Sequence, residues 1–158
     1  MIAMSVISFR GPSKKVTKKT IQNILVKDYM SKDVINFRKS DSIYYVMQEL
    51  LNNKISGAPI VNKYGKLVGI ISETDIMKNI VDSQYYNMPI SKTTVSKYMK
   101  KSVDCISPNE TIFGAASEFI KLKRKRFPVM ISDKIVGIIS RVDIISAAVN
   151  IRSQMWGN

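Results

Sequence analysis

Apolar residues recur at helical spacing in two stretches of the chain. In each stretch they lie at positions i, i+3, i+4, i+7 and i+8, which is the pattern of one buried helix face. The two predicted faces are Ile43, Val46, Met47, Leu50 and Leu51, and Ile112, Ala115, Ala116, Phe119 and Ile120. Ser40 or Asp41 is predicted to cap the first of these helices.

Short apolar runs after each predicted helix indicate strands. In the first half of the chain these runs are Ala58–Val61 and Lys66–Ile71, on either side of a polar turn that contains Gly65. Apolar runs flanking such a turn are typical of a β-hairpin. A short extended segment, Asp33–Phe37, precedes the helix, and Ser72 is predicted to begin a second helix. The predicted order of elements is β-α-β-β-α.

The second half of the chain repeats the first. Val26-Lys27-Asp28-Tyr29-Met30 returns 69 residues later as Val95-Ser96-Lys97-Tyr98-Met99. Residues 67–76 return as residues 135–144, and each block contains Gly-Ile-Ile-Ser-x-x-Asp. A unit of about 55 residues buries too little apolar surface to be stable alone. We therefore expect an α/β (α+β) fold in which two β-α-β-β-α repeats pack with pseudo-two-fold symmetry.

The repeat also predicts how the chain is divided. The predicted parts are a basic N-terminal segment (1–25), a first repeat (26–82), a linker (83–94), a second repeat (95–150) and a C-terminal tail (151–158).

Composition excludes several classes of function. The 158 residues include no His and one Cys, which excludes the usual zinc, haem and iron–sulfur ligand sets and His-based acid–base catalysis. The chain also lacks a GxxxxGK[ST] phosphate loop and a base to pair with Cys105, so neither an enzyme nor a cofactor is expected. No apolar run reaches the roughly 18 residues of a membrane span. The protein is predicted to be soluble and cytoplasmic, without a membrane partner.

The chain is strongly basic, with a formal net charge of +13. Two stretches, residues 1–27 and 121–126, supply most of the excess. Such a charge suggests an anionic partner or, equally, solvated lysine-rich faces. Residues 121–126 have three interpretations: a solvated helix end, phosphate ligands in a cleft, or a surface that contacts nucleic-acid phosphates without reading sequence. No recognition-helix signature or aromatic-rich platform accompanies them.

Ser72-x-x-Asp75 and Ser140-x-x-Asp143 are the candidate binding motifs. Each Ser is predicted to lie at a helix start, where free N–H groups favour an anion. The Asp carboxylate can accept hydrogen bonds from the vicinal hydroxyls of a ribose. The preceding Gly-Ile-Ile strand offers an apolar wall for a flat base. The alternative is a capping box, which only satisfies the first amides of the helix.

The doubled pattern resembles the tandem CBS-domain pair, a regulatory module named after cystathionine β-synthase. The resemblance covers residues 26–150 and rests on the V-x-x-Y-M lead-ins, the S-G-A-P-I-V segment that starts at Ser56 and the two Gly-Ile-Ile-Ser-x-x-Asp segments. It implies a stand-alone module with two clefts for adenosine nucleotides or other adenosyl ligands. It also implies pairing into a homodimer and a regulated protein that remains to be identified.

The family geometry implies that each cleft draws on both repeats. One cleft would combine Ile35, Ile55, Ser56, Gly57, Pro59, Ser140, Arg141 and Asp143. The other would combine Ser72, Asp75, Asp104, Arg124, Lys125, Arg126 and Pro128. Asp104 replaces the apolar Ile35 in the second cleft. We therefore expect adenosine in the Asp143 cleft, and we expect the Asp75 cleft either to need a polyphosphate or to stay empty.

The favoured interpretation is a ligand-responsive sensor that binds AMP, ADP, ATP or a related adenosyl ligand between the repeats. Two alternatives use the same fold only as a scaffold. One is a basic nucleic-acid-binding protein, and the other is an adaptor for a partner protein.

Overall fold

The structure, a computed structural model, describes residues 24–87, 89 and 92–156, with side chains as far as Arg152. The predicted N-terminal segment, 1–25, lies almost entirely outside the described residues. Within the described residues, a short 3-10 helix at Val26–Asp28 is followed by five helices and four strands. The helices are α1 (Ile43–Asn52), α2 (Glu73–Tyr85), α3 (Val95–Tyr98), α4 (Ile112–Leu122) and α5 (Arg141–Trp156). The strands are β1 (Gly57–Val61), β2 (Leu67–Ser72), β3 (Arg126–Ile131) and β4 (Lys134–Ser140).

The predicted cap of α1 was wrong by one or two residues. Ser42 is the cap, and its Oγ accepts a hydrogen bond from the Tyr45 N–H at 3.1 Å. Thr111, 69 residues later, caps α4 in the same way. Asp41 instead closes the preceding turn, because its carboxylate accepts a hydrogen bond from the Arg38 N–H at 2.7 Å.

The predicted apolar faces of α1 and α4 were too wide. Ile43, Val46 and Leu50 of α1 are buried, but Leu51 is 77% exposed, and its counterpart Ile120 in α4 is 79% exposed. An α-helix turns about 100° per residue, so a side chain at i+8 points about 80° away from the one at i. The hairpin that packs against each helix therefore buries a narrower stripe of the helix surface than the apolar pattern predicted.

The strands form two antiparallel hairpins, β1–β2 and β3–β4. Each hairpin has one register shift at the same place in its repeat, at Ile60/Val61 and at Val129/Met130. The predicted first strand is reduced to one parallel bridge, between Phe37 and Ile60, with an equivalent bridge between Ile106 and Val129. Phe37 is the residue of that segment that enters the core.

The lead-in segments, residues 26–30 and 95–99, each pack into the core of the other repeat. Val26 is fully buried in the core of the second repeat, and Val95 is fully buried in the core of the first. The residue after each lead-in pairs with one strand of the opposite repeat's hairpin. Each pair is antiparallel, and its N–H···O hydrogen bonds are 2.9 Å long. These pairs are Ser31 with Ile138, and Lys100 with Ile70. This exchange joins the two repeats into one module.

The last helix of each repeat extends beyond the repeat's predicted end, at residue 82 and at residue 150. Helix α2 runs to Tyr85 and so enters the predicted linker. Helix α5 runs to Trp156, so most of the predicted tail continues the last helix. In the part of the chain that the structure describes, no helix is both long and apolar enough to cross a bilayer.

Candidate functional site

A cavity of about 550 Å³ lies between the two repeats beside Asp143. Its volume falls within the range of about 300–1,000 Å³ that is usual for small-molecule sites. The lining includes every residue predicted for this cleft except Pro59, which lies buried in β1. The predicted residues that line it are Ile35, Ile55, Ser56, Gly57, Ser140, Arg141 and Asp143.

Gly57, at the start of β1, lies in close contact with the partner strand β2. A Cβ at this position would lie 2.6 Å from the carbonyl oxygen of Ile71 and 3.1 Å from Cα of Ser72. The residue before it is held on the start of helix α2, because the Ser56 carbonyl accepts a hydrogen bond from the Glu73 N–H at 3.0 Å. The loop before β1 is therefore tied to the start of α2.

Both Ser-x-x-Asp motifs form capping boxes at a helix start. In the first motif, Asp75 Oδ2 accepts hydrogen bonds from the Ser72 N–H at 3.0 Å and the Ser72 hydroxyl at 2.6 Å. In the second, Asp143 Oδ2 accepts from the N–H and the hydroxyl of Ser140, both at 2.7 Å. Capping therefore occupies Oδ2 of each aspartate.

The other carboxylate oxygen distinguishes the two motifs. Asp75 is almost fully buried, and its Oδ1 lies 3.7 Å from Nζ of Lys100. Asp143 is half-buried, and the hydrogen bonds and ion pairs of the described residues reach its carboxylate only at Oδ2. Oδ1 of Asp143 therefore remains available to accept hydrogen bonds from a ligand in the cavity.

Lys100 lies against the Asp75 carboxylate, a position that the sequence reasoning missed. It follows the second V-x-x-Y-M lead-in directly, whereas Ser31 follows the first. The exchange of lead-ins places Lys100 against Asp75 and Ser31 in the Asp143 cavity. Extending the comparison of the two lead-ins by one residue would have revealed the difference.

A smaller cavity, of about 190 Å³, lies beside Asp75. Its lining includes the predicted residues Ser72, Asp75, Asp104, Arg124, Lys125 and Arg126, whereas the predicted Pro128 is buried in β3 outside it. Besides the pair of Asp75 and Lys100, two ion pairs join residues of this lining. Arg124 Nη2 lies 2.7 Å from Asp104, and Lys125 Nζ lies 3.1 Å from Glu73.

Arg126 lies between the two cavities and lines both. Its guanidinium donates hydrogen bonds to the Gly57 carbonyl at 2.9 Å and to the Ser56 hydroxyl at 2.8 Å. Burial lowers the pKa of Arg126 from its ordinary value, and the carboxylates of Glu73 and Asp143 oppose that shift. Lys125 also lines both cavities, so two of the three basic residues predicted for the Asp75 cleft are shared.

Four of the five basic residues at 121–126 have polar partners, although Lys121, Arg124 and Lys125 remain exposed. Lys121 pairs with Glu118 at 3.8 Å, Arg124 and Lys125 pair across the small cavity, and Arg126 points towards the first repeat. These contacts favour the cleft interpretation of the run over an open phosphate-binding surface. Among the described residues, no group of three or more Cys, Asp and Glu side chains could hold a metal ion.

The two β-α-β-β-α repeats exchange their lead-in segments and enclose two cavities between them. This arrangement defines a tandem-repeat module. Residues 26–82 and 95–150 each match the CBS domain, and the chain belongs to the CBS-domain family. The fold and the family predicted from the sequence are thus confirmed.

Sequence relatives include both short and long proteins. The protein MJ1426 of Methanocaldococcus jannaschii is 34% identical over 155 residues, which cover 80% of this chain and 92% of the relative. MJ1225 of the same organism is 26% identical, and the match covers 90% of this chain but only 52% of the relative.

Solved structures of similar fold contain adenosyl ligands. CBSX2 in complex with AMP is 25% identical, with a TM-score of 0.71 over 82% of this chain and 98% of that one. The CBS pair of MJ0100, in complex with 5′-methylthioadenosine and S-adenosyl-L-methionine, is 31% identical, with a TM-score of 0.67 over 78% of this chain and 98% of that one.

Proposed function

We propose that this CBS pair is a ligand-responsive regulatory module that binds an adenosine nucleotide or a related adenosyl ligand in the Asp143 cavity. The observation that carries the proposal is the state of the Asp143 carboxylate. Capping occupies Oδ2, and Oδ1 stays available at the wall of a cavity of about 550 Å³. A carboxylate in this position suits the two hydroxyls of a ribose.

The rest of the cavity supports the same ligand. Ile35, Ile55 and Ile138 supply apolar surface for a base, and Arg141 and Lys125 supply positive charge for a phosphate. The adenosyl ligands bound to CBSX2 and MJ0100 are of the same chemical class.

The proposed role is regulation rather than catalysis. A ligand in the Asp143 cavity would contact both repeats, since the lining comes from both. It would shift the module towards whichever arrangement of the repeats binds it better. A partner protein that binds only one arrangement of the repeats would then respond to the presence of the ligand.

We also propose that two modules pair through their exposed helix faces. Each repeat has an apolar groove between its two long helices, lined by Leu51 and Met77 in the first repeat and by Ile120 and Ile145 in the second. All four side chains are more than half exposed. The pseudo-symmetry makes the two grooves similar surfaces, so a second copy related by a two-fold axis could cover both.

Calorimetric titration of the full chain tests the ligand proposal. AMP, ATP and S-adenosylmethionine are each added at about 0.05 M and 0.5 M salt, between which the screening of exposed charges changes strongly. AMP lacking both ribose hydroxyls is the matched control. We expect saturable binding that survives high salt for at least one adenosyl ligand, and much weaker binding of the control.

A short DNA duplex in the same experiment tests the nucleic-acid alternative. Binding through five phosphates would fall with salt at a log–log slope of about −4. Binding of DNA with this slope, together with no binding of any adenosyl ligand, would overturn the proposed function.

A further inference from the structure

The cavity beside Asp75 is unsuited to a nucleoside at the place where the ribose would lie. Oδ2 of Asp75 is occupied by Ser72, and Oδ1 faces the Lys100 ammonium at 3.7 Å. The Asp75 side chain is only 2% exposed, so a ribose would have to displace Lys100 from a buried carboxylate. The corresponding position in the other cavity is the neutral Ser31.

The part of the Asp75 cavity where the base of a nucleoside would lie is also unsuitable. Asp104 stands where the Asp143 cavity has Ile35, and it is held by Arg124 through both Nε and Nη2 at 2.7 Å. A flat apolar base would have to lie against this ion pair instead of an aliphatic wall. The volume of about 190 Å³ is also below the roughly 300 Å³ at which small-molecule sites usually begin.

The charges around the Asp75 cavity are unbalanced in favour of an anion. Five cationic and three acidic side chains line it. Each acid pairs with one cation: Asp75 with Lys100, Asp104 with Arg124, and Glu73 with Lys125. In the described part of the chain, the remaining two cations, Lys123 and Arg126, form no ion pair, and Arg126 is held by neutral oxygens of the first repeat. The cavity therefore has an excess of two positive charges.

We propose that the Asp75 cavity is a site for a compact polyanion of the phosphate class, and that Lys100 sets this choice. By neutralising the buried carboxylate, Lys100 removes the acceptor that a ribose needs and the negative charge that would repel an anion. Arg126, Lys123 and Lys100 then provide cations that can donate to phosphate oxygens. The two cavities of the module would thus take ligands of different chemistry.

Titration of the full chain with inorganic pyrophosphate tests the site. We expect one pyrophosphate to bind per chain at about 0.15 M salt, where long-range attraction is largely screened. Lys100→Ser introduces the residue of the other repeat and should weaken binding about tenfold or more, since it removes a charged donor and exposes the Asp75 charge. Lys66→Ser is the matched control, because Lys66 also pairs with an aspartate, Asp133, but far from the cavity. Absence of saturable binding, or equal weakening by the two variants, would overturn the proposal.

The number of AMP molecules bound per chain is a second test, and it rests on the proposed function. Wild-type protein should bind one AMP, in the Asp143 cavity. Lys100→Ser combined with Asp104→Ile gives the second cavity the residues of the first and should raise the number towards two. Two AMP molecules on the wild-type chain would overturn this inference while leaving the proposed function intact. Absence of binding of every adenosyl ligand, together with saturable pyrophosphate binding, would overturn the proposed function and leave this inference intact.

Discussion

Asp143 and Asp75 form a matched pair for separating ligand binding from helix capping. The substitutions Asp143→Asn and Asp75→Asn replace the same side chain, at the same position of a capping box, in equivalent repeats. Both should therefore weaken a helix cap, and Asp75→Asn should also lose the ion pair with Lys100. Only Asp143→Asn should alter the acceptor that we assign to the ribose.

The expected loss of nucleotide affinity follows from the hydrogen bonds that remain available to Asp143. Oδ2 already accepts two bonds from Ser140 at 2.7 Å, so the ligand depends mainly on Oδ1. Hydrogen bonds to a charged group contribute about 1.5–3 kcal/mol each. Taking between one and two such bonds gives a loss of about 2–4 kcal/mol, which is about 30-fold to 1,000-fold in Kd.

The cost to folding should be small for Asp143→Asn and somewhat larger for Asp75→Asn, which also loses the ion pair with Lys100. Loss of a helix cap costs about 0.5–2 kcal/mol. For a chain of this size, each kcal/mol lowers Tm by about 2–4 °C. Both variants should consequently unfold a few degrees below the wild type and remain folded at 25 °C.

The assay is calorimetric titration of both variants with the adenosyl ligand that binds the wild type most tightly, after thermal unfolding has shown each to be folded. We expect Asp143→Asn to lose affinity and Asp75→Asn to keep it. If Asp143→Asn binds as tightly as the wild type, or if both variants lose affinity equally, the assignment of the ribose to Asp143 is wrong.

Three further predictions address stability, pH and assembly. Gly57→Ala should destabilise the fold by about 1–3 kcal/mol in urea unfolding, because its Cβ would lie 2.6 Å from the Ile71 carbonyl oxygen; unchanged stability would contradict this close approach. The hydrogen bond and charge of Lys66 lower the pKa of the exposed Asp133, so the pair stabilises the fold at neutral pH and loses this effect as the pH falls through that lowered pKa; Asp133→Asn should be slightly less stable than the wild type at pH 7, and the difference should vanish once the pH lies below that lowered pKa. Leu51→Glu should convert the proposed dimer to a monomer in light scattering, and an unchanged mass would place the dimer contact elsewhere.

Much of the local structure could be predicted because it depends on residues close together in the chain. The periodicity of α1 and α4, the apolar runs around the hairpin turns and the repeat at 69 residues all predicted elements that the structure contains. Errors arose at the edges of elements. The cap moved to Ser42, and Leu51 proved exposed, because the packing partner decides how wide a buried helix face is.

The lining of the two cavities could be predicted only in part. The Ser-x-x-Asp motifs and the basic residues before β3 line the cavities, and the family resemblance had implied that both repeats contribute. Pro59 and Pro128 proved to lie in the strands behind the cavities, outside the lining. The register of the strand decides whether a residue that is close in the sequence to cleft-lining residues also faces the cleft.

By itself, the sequence determined that the chain is a duplicated β-α-β-β-α unit without His and with a single Cys, and that each unit carries a carboxylate at a predicted helix start. The tertiary structure decided what those carboxylates can do. Asp75 and Lys100 lie 25 positions apart, and only the exchange of lead-ins brings them within 3.7 Å of each other. Such a contact depends on which strand edge the chain returns to, and no periodicity along the sequence encodes that. The same motif therefore leaves an available acceptor in one cleft and a neutralised carboxylate in the other.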